Sequence, residues 1–221
     1  TSEELASTDY FGYRVDISGD YAIVSSRAKN NYKGEAYIFV RSGTSWSQQA
    51  TFVASDYAVD SFFGESVSIS GDYAVVGARQ HKHANLGGNQ EGAAYIFVRS
   101  GTSWSEQSKL TASDGAKGDR FGEAVAIDGD YAIIGAPYDG DNGNNSGTAY
   151  IFVRSGTSWS QQAKLTASDA AAGDIFGHGV SISGDYVIVS APENDDVAGT
   201  YGWGNSGSAY IFVRSGTSWS Q

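Results

Sequence analysis

The stretch Ala94–Ser105, which has the sequence AYIFVRSGTSWS, occurs four times in this chain without a single change. The other copies begin at Ala36, Ala149 and Ala209, so the start-to-start spacings are 58, 55 and 60 residues. Self-similarity at a fixed period of this length is the sequence signature of a repeat architecture. The chain is therefore predicted to consist of repeated units of one structure.

A second string, FGxxVxIxGDY, has the same period and begins at Phe11, Phe63, Phe121 and Phe176. Two strings in phase define a unit of about 55 residues, and the chain of 221 residues holds four such units. We predict a single repeat domain over residues 1–221, with units at 11–56, 63–114, 121–169 and 176–221.

Each unit contains four short segments with the pattern of β-strands. In the second unit, Phe63 to Ser70 alternates apolar and small polar residues, and Gly71-Asp72 is a two-residue hairpin signal. Tyr73 to Ala78 and Ala94 to Arg99 are apolar runs typical of covered strands, and Trp104 to Thr111 completes the unit. The sequence predicts an all-β protein of about sixteen strands.

The Phe-Gly start, the Gly-Asp hairpin and the triplet Gly135-Ala136-Pro137 resemble the FG-GAP repeat, which forms the blades of integrin α-subunit propellers. The resemblance implies a β-propeller of four four-stranded blades. The closing triplet differs in the other units, where it is Ser25-Ser26-Arg27, Gly77-Ala78-Arg79 and Ser190-Ala191-Pro192.

The two ends of the sequence resemble complementary parts of one strand. The fourth unit stops at Gln221 after SWSQ, whereas residues 1–7 (TSEELAS) resemble the end of the fourth strand in the other units. We expect residues 1–7 to complete the last blade, either within one chain or in a neighbouring chain. An excised portion of a longer repeat array is the third alternative.

Composition excludes several classes of function. The net charge of −11, from 14 basic and 25 acidic residues, repels phosphate backbones, so we expect no nucleic-acid partner. The chain has no cysteine and no apolar run of transmembrane length, so we expect neither disulfides nor membrane insertion. An acidic composition rich in Gly, Ser and Thr favours an extracellular or cell-surface protein.

The resemblance also implies calcium sites in the loop between the first two strands, but here that loop is a short turn such as Ser70-Gly71-Asp72. One or two carboxylates cannot supply the six to eight oxygen ligands of calcium. We therefore expect no cofactor. The alternative is a calcium site in the loop of residues 139–145, with Asp139, Asp141 and Asn145 as ligands.

Strand alternation places the Gly-Asp hairpins at one end of every blade and the loops of variable sequence at the other. Variable loops on a common scaffold carry specificity, so we expect partners to bind there. One half of this end is predicted to be basic and the other acidic, which would allow two copies to dock. The residues concerned are Arg27, Lys29, Lys33, Arg79 and Lys82 on the basic side and Asp139, Asp141, Asp195 and Asp196 on the acidic side.

Aromatic residues and histidines give two further expectations. Tyr201 and Trp203 stand in a loop outside the repeated strings, where they could anchor a glycan or a protein. The repeated tryptophans, represented by Trp104, favour packing between blades. His81 and His83 are expected to lie in a solvated loop.

No GxSxG sequence is present, and no histidine stands beside an activated nucleophile. The sequence therefore predicts a protein that acts by binding and not by catalysis. The leading hypothesis is a structural or adhesion module that self-associates into an oligomer or filament. The alternative is a lectin-like propeller that binds an extracellular glycan or protein through its variable loops.

Overall fold

The computed structural model describes residues 8–56, 58–81, 90–195 and 206–221. Within these ranges the chain forms four antiparallel sheets of four strands each, which we call blades 1 to 4 in chain order. In every blade the four strands are adjacent in sequence order, so each blade is a simple meander.

The strand bounds repeat closely from blade to blade. Blade 1 contains β1 (Phe11–Ser18), β2 (Tyr21–Ser26), β3 (Glu35–Ser42) and β4 (Ser45–Phe52). Blade 2 contains β5 (Phe63–Ser70), β6 (Tyr73–Ala78), β7 (Ala93–Ser100) and β8 (Ser103–Leu110). Blade 3 contains β9 (Ala124–Asp128), β10 (Tyr131–Ala136), β11 (Thr148–Ser155) and β12 (Ser158–Leu165). Blade 4 contains β13 (Gly179–Ser183), β14 (Tyr186–Ala191), β15 (Ser208–Ser215) and β16 (Ser218–Ser220).

The predicted all-β architecture and the strands predicted for the second unit are confirmed, with bounds that agree to within one residue. A single helical turn, α1 (Lys29–Tyr32), interrupts the loop between β2 and β3, and it contains left-handed backbone at Asn30 and Asn31. No helix in the described part of the chain is long and apolar enough to cross a membrane.

Two hairpins meet at one end of each blade, as the alternation predicts. In blade 2, Ser70 pairs with Tyr73 across the Gly71-Asp72 turn, and the Asp72 carboxylate forms an ion pair with Arg99 at the end of β7. The Arg99 amide also donates to the Asp72 carbonyl at 2.8 Å. The same ion pair recurs in the other blades as Arg41–Asp20, Arg154–Asp130 and Arg214–Asp185.

Successive blades pack face to face, and the apolar core lies between them. We call the face that contacts the next blade in the sequence the forward face, and the face that contacts the previous blade the backward face. Between blades 1 and 2, Ile23 and Ile38 of the forward face pack with Val67 and Phe97 of the backward face. Equivalent residues form the cores between blades 2 and 3 and between blades 3 and 4.

The glycines of the two motifs allow close contact between the backbones of successive blades. A Cβ atom on Gly135, in the triplet of blade 3, would lie 1.9 Å from the carbonyl oxygen of Gly177, in the Phe-Gly pair of blade 4. Gly147, at a φ of +83°, likewise approaches the Phe176 carbonyl, where a Cβ would lie at 2.0 Å. The motif residues therefore set the spacing between blades.

The predicted completion of blade 4 by residues 1–7 falls outside the described residues. In the described part of the chain, β16 covers only Ser218–Ser220, so it is shorter than the other fourth strands.

Candidate interaction surfaces

The variable loops lie at the end of the blades opposite to the two hairpins, and most of the charges predicted there are paired. The buried Glu65 carboxylate lies 2.9 Å from Arg27 and 3.0 Å from Arg79. It also accepts a hydrogen bond from the Tyr13 hydroxyl at 3.0 Å, and Arg79 reaches Glu123 at 3.4 Å. Both predicted basic residues are therefore tied to carboxylates at the junctions between blades.

The other basic residues of blade 1 are also engaged. The Lys29 ammonium donates to the Tyr37 hydroxyl at 2.9 Å and lies 3.3 Å from the Glu35 carboxylate. Burial and the Glu35 carboxylate raise the pKa of Tyr37 to about 12, whereas Lys29 lowers it. Lys33 is half-buried, and its carbonyl accepts from the Phe63 amide of the next blade at 3.3 Å.

The acidic loop of blade 3 surrounds a lysine. The Lys164 ammonium lies 2.7 Å from Asp114, 3.3 Å from Asp139 and 2.5 Å from Asp141. These three carboxylates raise the pKa of Lys164 despite its partial burial. The buried Asp139 also accepts from the Tyr150 hydroxyl at 3.0 Å.

The calcium prediction for Asp139, Asp141 and Asn145 is not supported by this geometry. The Lys164 ammonium already supplies the cation between Asp139 and Asp141, and Asn145 is half-buried with its carbonyl accepting from the Ile175 amide at 3.1 Å. Among the described residues, no group of three or more His, Cys, Asp or Glu side chains could hold a metal ion.

Blade 2 has a related cluster, which corrects the expectation for His81. This side chain is buried, with one ring nitrogen 3.2 Å from the Tyr95 hydroxyl and the other 3.1 Å from Asp56. Asp56 also binds Lys109 at 2.5 Å. The prediction of a solvated His81 was wrong, because its partners are distant in sequence, and His83 lies outside the described residues.

The Asp residues of the loops that enter blades 3 and 4 stabilise turns. Asp119 accepts from the Ala116 amide at 2.6 Å, and Asp174 accepts from the Ala171 amide at 2.7 Å. Burial raises the pKa of Asp119 to about 6, with a further contribution from the Asp139 carboxylate.

A polar cleft of about 430 Å³ opens at the variable-loop end, between the loops of blades 2 and 3. Amide and carboxylate side chains such as Gln90, Asp119 and Asn144 line it, together with Tyr138. The Arg120 guanidinium stacks on the Tyr138 ring, 4.0 Å from its centroid. The cleft therefore combines hydrogen-bond donors, acceptors and one aromatic ring.

Of the remaining residues predicted to contact a partner, the structure describes only Asp195. Asp195 is exposed at the end of the described loop in blade 4. Four others lie outside the described residues, namely Lys82, Asp196, Tyr201 and Trp203.

The repeated tryptophans pack between successive blades at each junction, as the sequence predicts. Trp104 of blade 2 packs edge-on against Tyr21 of blade 1 with the ring centroids 6.1 Å apart, and its indole nitrogen donates to Gln49 at 2.9 Å. Arg99 stacks on the same tyrosine at 4.4 Å. The same aromatic contact recurs at the next two junctions, between Trp159 and Tyr73 and between Trp219 and Tyr131.

Sequence reasoning missed the surfaces at the two ends of the array. On the forward face of blade 4, Ile188 is 44% exposed and Ile211 is 59% exposed. Their counterparts in blade 3, Ile133 and Ile151, are fully buried because blade 4 covers them. The side chains of Tyr186, Ile188 and Ile211 line an apolar groove of about 310 Å³ on this face.

The backward face of blade 1 is exposed in the same way. Val15 and Ile17 are 68% and 62% exposed, whereas their counterparts Val67 and Ile69 in blade 2 are buried. An apolar groove of about 320 Å³ lies between Phe11, Phe39 and Trp46 on this face, among other residues. Among the described residues, blades 1 and 4 thus each present an exposed apolar face.

Among solved structures, the chain is similar to the crystal structure of Sqt1 from Saccharomyces cerevisiae. The two share 9% sequence identity with a TM-score of 0.50, and the match covers 86% of this chain and 45% of that chain. The chain therefore spans less than half the length of that protein. The likeness concerns the fold alone, and it supports a propeller-like arrangement of the four sheets. No curated protein matches the chain.

The FG-GAP repeat matches four segments of the chain, at residues 1–39, 46–97, 104–152 and 159–212. Each of the last three segments begins in the fourth strand of one blade and ends in the third strand of the next, so one sequence repeat spans one junction. The matched segments cover most of the sequence and coincide with the Phe-Gly contacts at the junctions. The chain belongs to the FG-GAP repeat family.

Proposed function

We propose that this protein is a non-catalytic structural or adhesion module that self-associates, outside the cell or at the cell surface. The observation that carries the proposal is the pair of uncovered apolar faces on blades 1 and 4. Contiguous exposed apolar patches on soluble proteins mark interaction sites. An extracellular location is consistent with the blades of integrin α-subunits, which the repeats resemble.

The energetic argument rests on the size of the exposed side chains. Full burial of a large aliphatic side chain contributes about 1.5–3 kcal/mol, and each end face exposes several of them. Covering both faces therefore offers a substantial gain in free energy. The net charge of −11 opposes association, although salt screens this repulsion.

The charged clusters at the variable-loop end favour a structural role over a catalytic one. Glu65 is held by Arg27 and Arg79, and the Lys164 ammonium is held by Asp114 and Asp141. These groups stabilise the junctions and loops in which they lie, and none of them needs a substrate to explain its position.

Sedimentation velocity of the purified chain from about 1 µM to about 1 mM tests self-association, because a contact of moderate affinity assembles within this range. We expect the weight-average mass to rise with concentration. A chain that remains monomeric up to the highest concentration would overturn the proposal.

The polar cleft supports a second candidate function, which is binding of a glycan or protein at the variable-loop end. Gln90 and Asn144 offer amide groups to hydroxyl ligands, and Tyr201 and Trp203 remain proposed anchors in the variable segment of the fourth unit. Retention on a glycan array that is lost in the Asn144→Ala variant would favour this function. A matched Asn142→Ala variant, in the same loop but outside the residues that line the cleft, is the control.

A further inference from the structure

We propose that the forward face of blade 4 docks on the backward face of blade 1 of a second copy, head to tail. This inference rests on the proposed self-association and specifies its geometry. The contact would reproduce the junction that the chain already forms three times between its own blades.

The internal junctions all have the same polarity. The forward face of one blade always meets the backward face of the next, and the buried isoleucines Ile38, Ile96 and Ile151 all belong to forward faces. The two uncovered faces at the ends of the array are one of each kind. One exposed face is a forward face and the other is a backward face, so the two can pair as the faces at every internal junction do.

The forward face of blade 4 carries the residues that the internal junctions use. Tyr186 and Ile188 occupy the positions of Tyr131 and Ile133, which pack against blade 4. Ile211 belongs to the same invariant string as Ile151. This face therefore has the side chains of a junction but lacks the covering blade.

The backward face of blade 1 likewise carries the residues that the internal junctions use. Phe11, Val15 and Ile17 occupy the positions of Phe63, Val67 and Ile69, which are buried against blade 1. Gly12 matches the glycines that allow close backbone contact at the other junctions, yet in the described part of the chain no atom beyond its two chain neighbours lies within 4 Å of the position of its Cβ. The space that a preceding blade would fill is open.

Arg41 and Trp46 show what a blade of a second copy would supply. The Arg41 side chain is 47% exposed, whereas Arg99, Arg154 and Arg214 are 22–24% exposed because each stacks on a tyrosine of the preceding blade. In a head-to-tail contact, Tyr186 of the second copy would meet Arg41 and Trp46 as Tyr21 meets Arg99 and Trp104. Cation–π and aromatic contacts would then add to the apolar burial.

A heterologous contact of this kind closes into a ring when the rotations close, and otherwise continues as a filament. Two copies joined at both ends would contain eight blades, a number within the range of known propellers, about four to eight. A dimer is therefore the expected closed form. A longer polymer would use the same contact.

The test uses two single variants of the full chain, one on each end face. Ile17→Lys places a charge on the backward face of blade 1, and Ile211→Lys places one on the forward face of blade 4. Both positions are exposed in the isolated chain, so the fold tolerates the charge. Val59→Lys, at an exposed apolar position in the loop between β4 and β5, is the matched control, and circular dichroism at low concentration verifies folding.

Sedimentation velocity is measured for each variant alone and for an equimolar mixture. We expect each end-face variant to associate at least about tenfold more weakly than wild type, because interface centres are sensitive to buried charge. The control should associate as wild type does. The mixture should recover a heterodimer, because the intact blade 4 face of Ile17→Lys can meet the intact blade 1 face of Ile211→Lys.

Three results would overturn the head-to-tail contact while leaving self-association in place. One is a loss in only one variant, which indicates a symmetric contact between two like faces. Another is a wild-type mass for both variants, which places the contact elsewhere. The third is a mixture that stays monomeric. A monomeric wild-type chain, in contrast, would overturn the proposed function itself.

Discussion

At the scale of single residues, the four tryptophans of the repeated string separate the effect of packing from that of local sequence. Trp104 packs on Tyr21 and Phe52 of the preceding blade and donates to Gln49, whereas Trp46 stands on the uncovered face. Both residues lie in identical twelve-residue strings. Any difference in their contribution to stability therefore comes from the neighbouring blade.

We expect Trp104→Ala to lower the free energy of unfolding by about 2–4 kcal/mol, since the deletion leaves a cavity at a junction. Trp46→Ala should lower it by less than about 1 kcal/mol, as exposed substitutions do. Chemical denaturation at a concentration where the chain is monomeric measures both. Equal losses for the two variants would show that the junction contacts contribute little.

Asp119 gives a prediction about pH. Its pKa is raised to about 6 by burial and by nearby carboxylates, from an ordinary value of 3.8. The folded state therefore holds a proton between about pH 4 and 6 that the unfolded chain has released, so this group lowers stability as the pH rises through that window. Above pH 6 the whole penalty is present.

Asp119→Asn removes the charge and can still accept from the Ala116 amide. We expect this variant to be more stable than wild type at pH 8 by about 1–2 kcal/mol, with the difference vanishing near pH 4. Thermal melts across this range measure it. The matched variant Asp174→Asn controls for the amide substitution itself, because blade 4 has Asn194 at the position of Asp139. A gain that is independent of pH would contradict the assignment.

At the scale of the strand, local sequence determines the secondary structure but not the burial. The string AYIFVRSGTSWS forms the same strand and hairpin in all four blades. Ile38, Ile96 and Ile151 within it are fully buried, whereas Ile211 is 59% exposed. The difference arises because a strand is covered only when another blade lies against its face.

The same distinction explains what the sequence could and could not predict about the site. Alternation and the Gly-Asp turns gave the strands and the position of the hairpins, because these depend on neighbours a few residues away. The pairing of Arg27 with Glu65 and of Lys164 with Asp114 joins residues that are 38 and 50 positions apart. The predicted charge asymmetry of the loop end counted such residues as free, because their partners come from another blade or loop.

Contact between blade backbones gives a prediction for the junction between blades 3 and 4. Gly135→Ala would place a Cβ 1.9 Å from the Gly177 carbonyl oxygen, and backbone on both sides leaves no flexible atom to move. We expect a loss of at least about 2–3 kcal/mol, the cost of overpacking a close contact. Gly140→Ala is the control, since the nearest atom to its Cβ lies at 3.8 Å. Similar melting temperatures for the two variants would show that the junction can widen.

At the scale of the whole molecule, the described blades form an array in which each blade packs on its neighbours in the sequence. Such arrays derive their stability from the units and from the interfaces between nearest neighbours, so the end units lack one interface. Natural repeat proteins commonly protect their ends with polar capping repeats. In the described structure, blades 1 and 4 expose isoleucine, valine and aromatic side chains on these faces, and the proposed head-to-tail contact would bury them.

The response to salt distinguishes the two ways in which copies of this chain could associate. Each copy carries a net charge of −11, so two copies repel one another at low ionic strength. Raising NaCl from about 0.05 M to about 0.5 M shortens the screening length to a few ångströms and removes most of that repulsion. A contact made by the apolar end faces should therefore strengthen with salt, whereas docking between basic and acidic loop surfaces should weaken.

We expect the association constant from sedimentation to rise over this range for wild type and for Val59→Lys, while the association constant of Ile17→Lys stays low throughout. A fall of about tenfold in wild type would instead identify charge complementarity at the variable loops as the driving force.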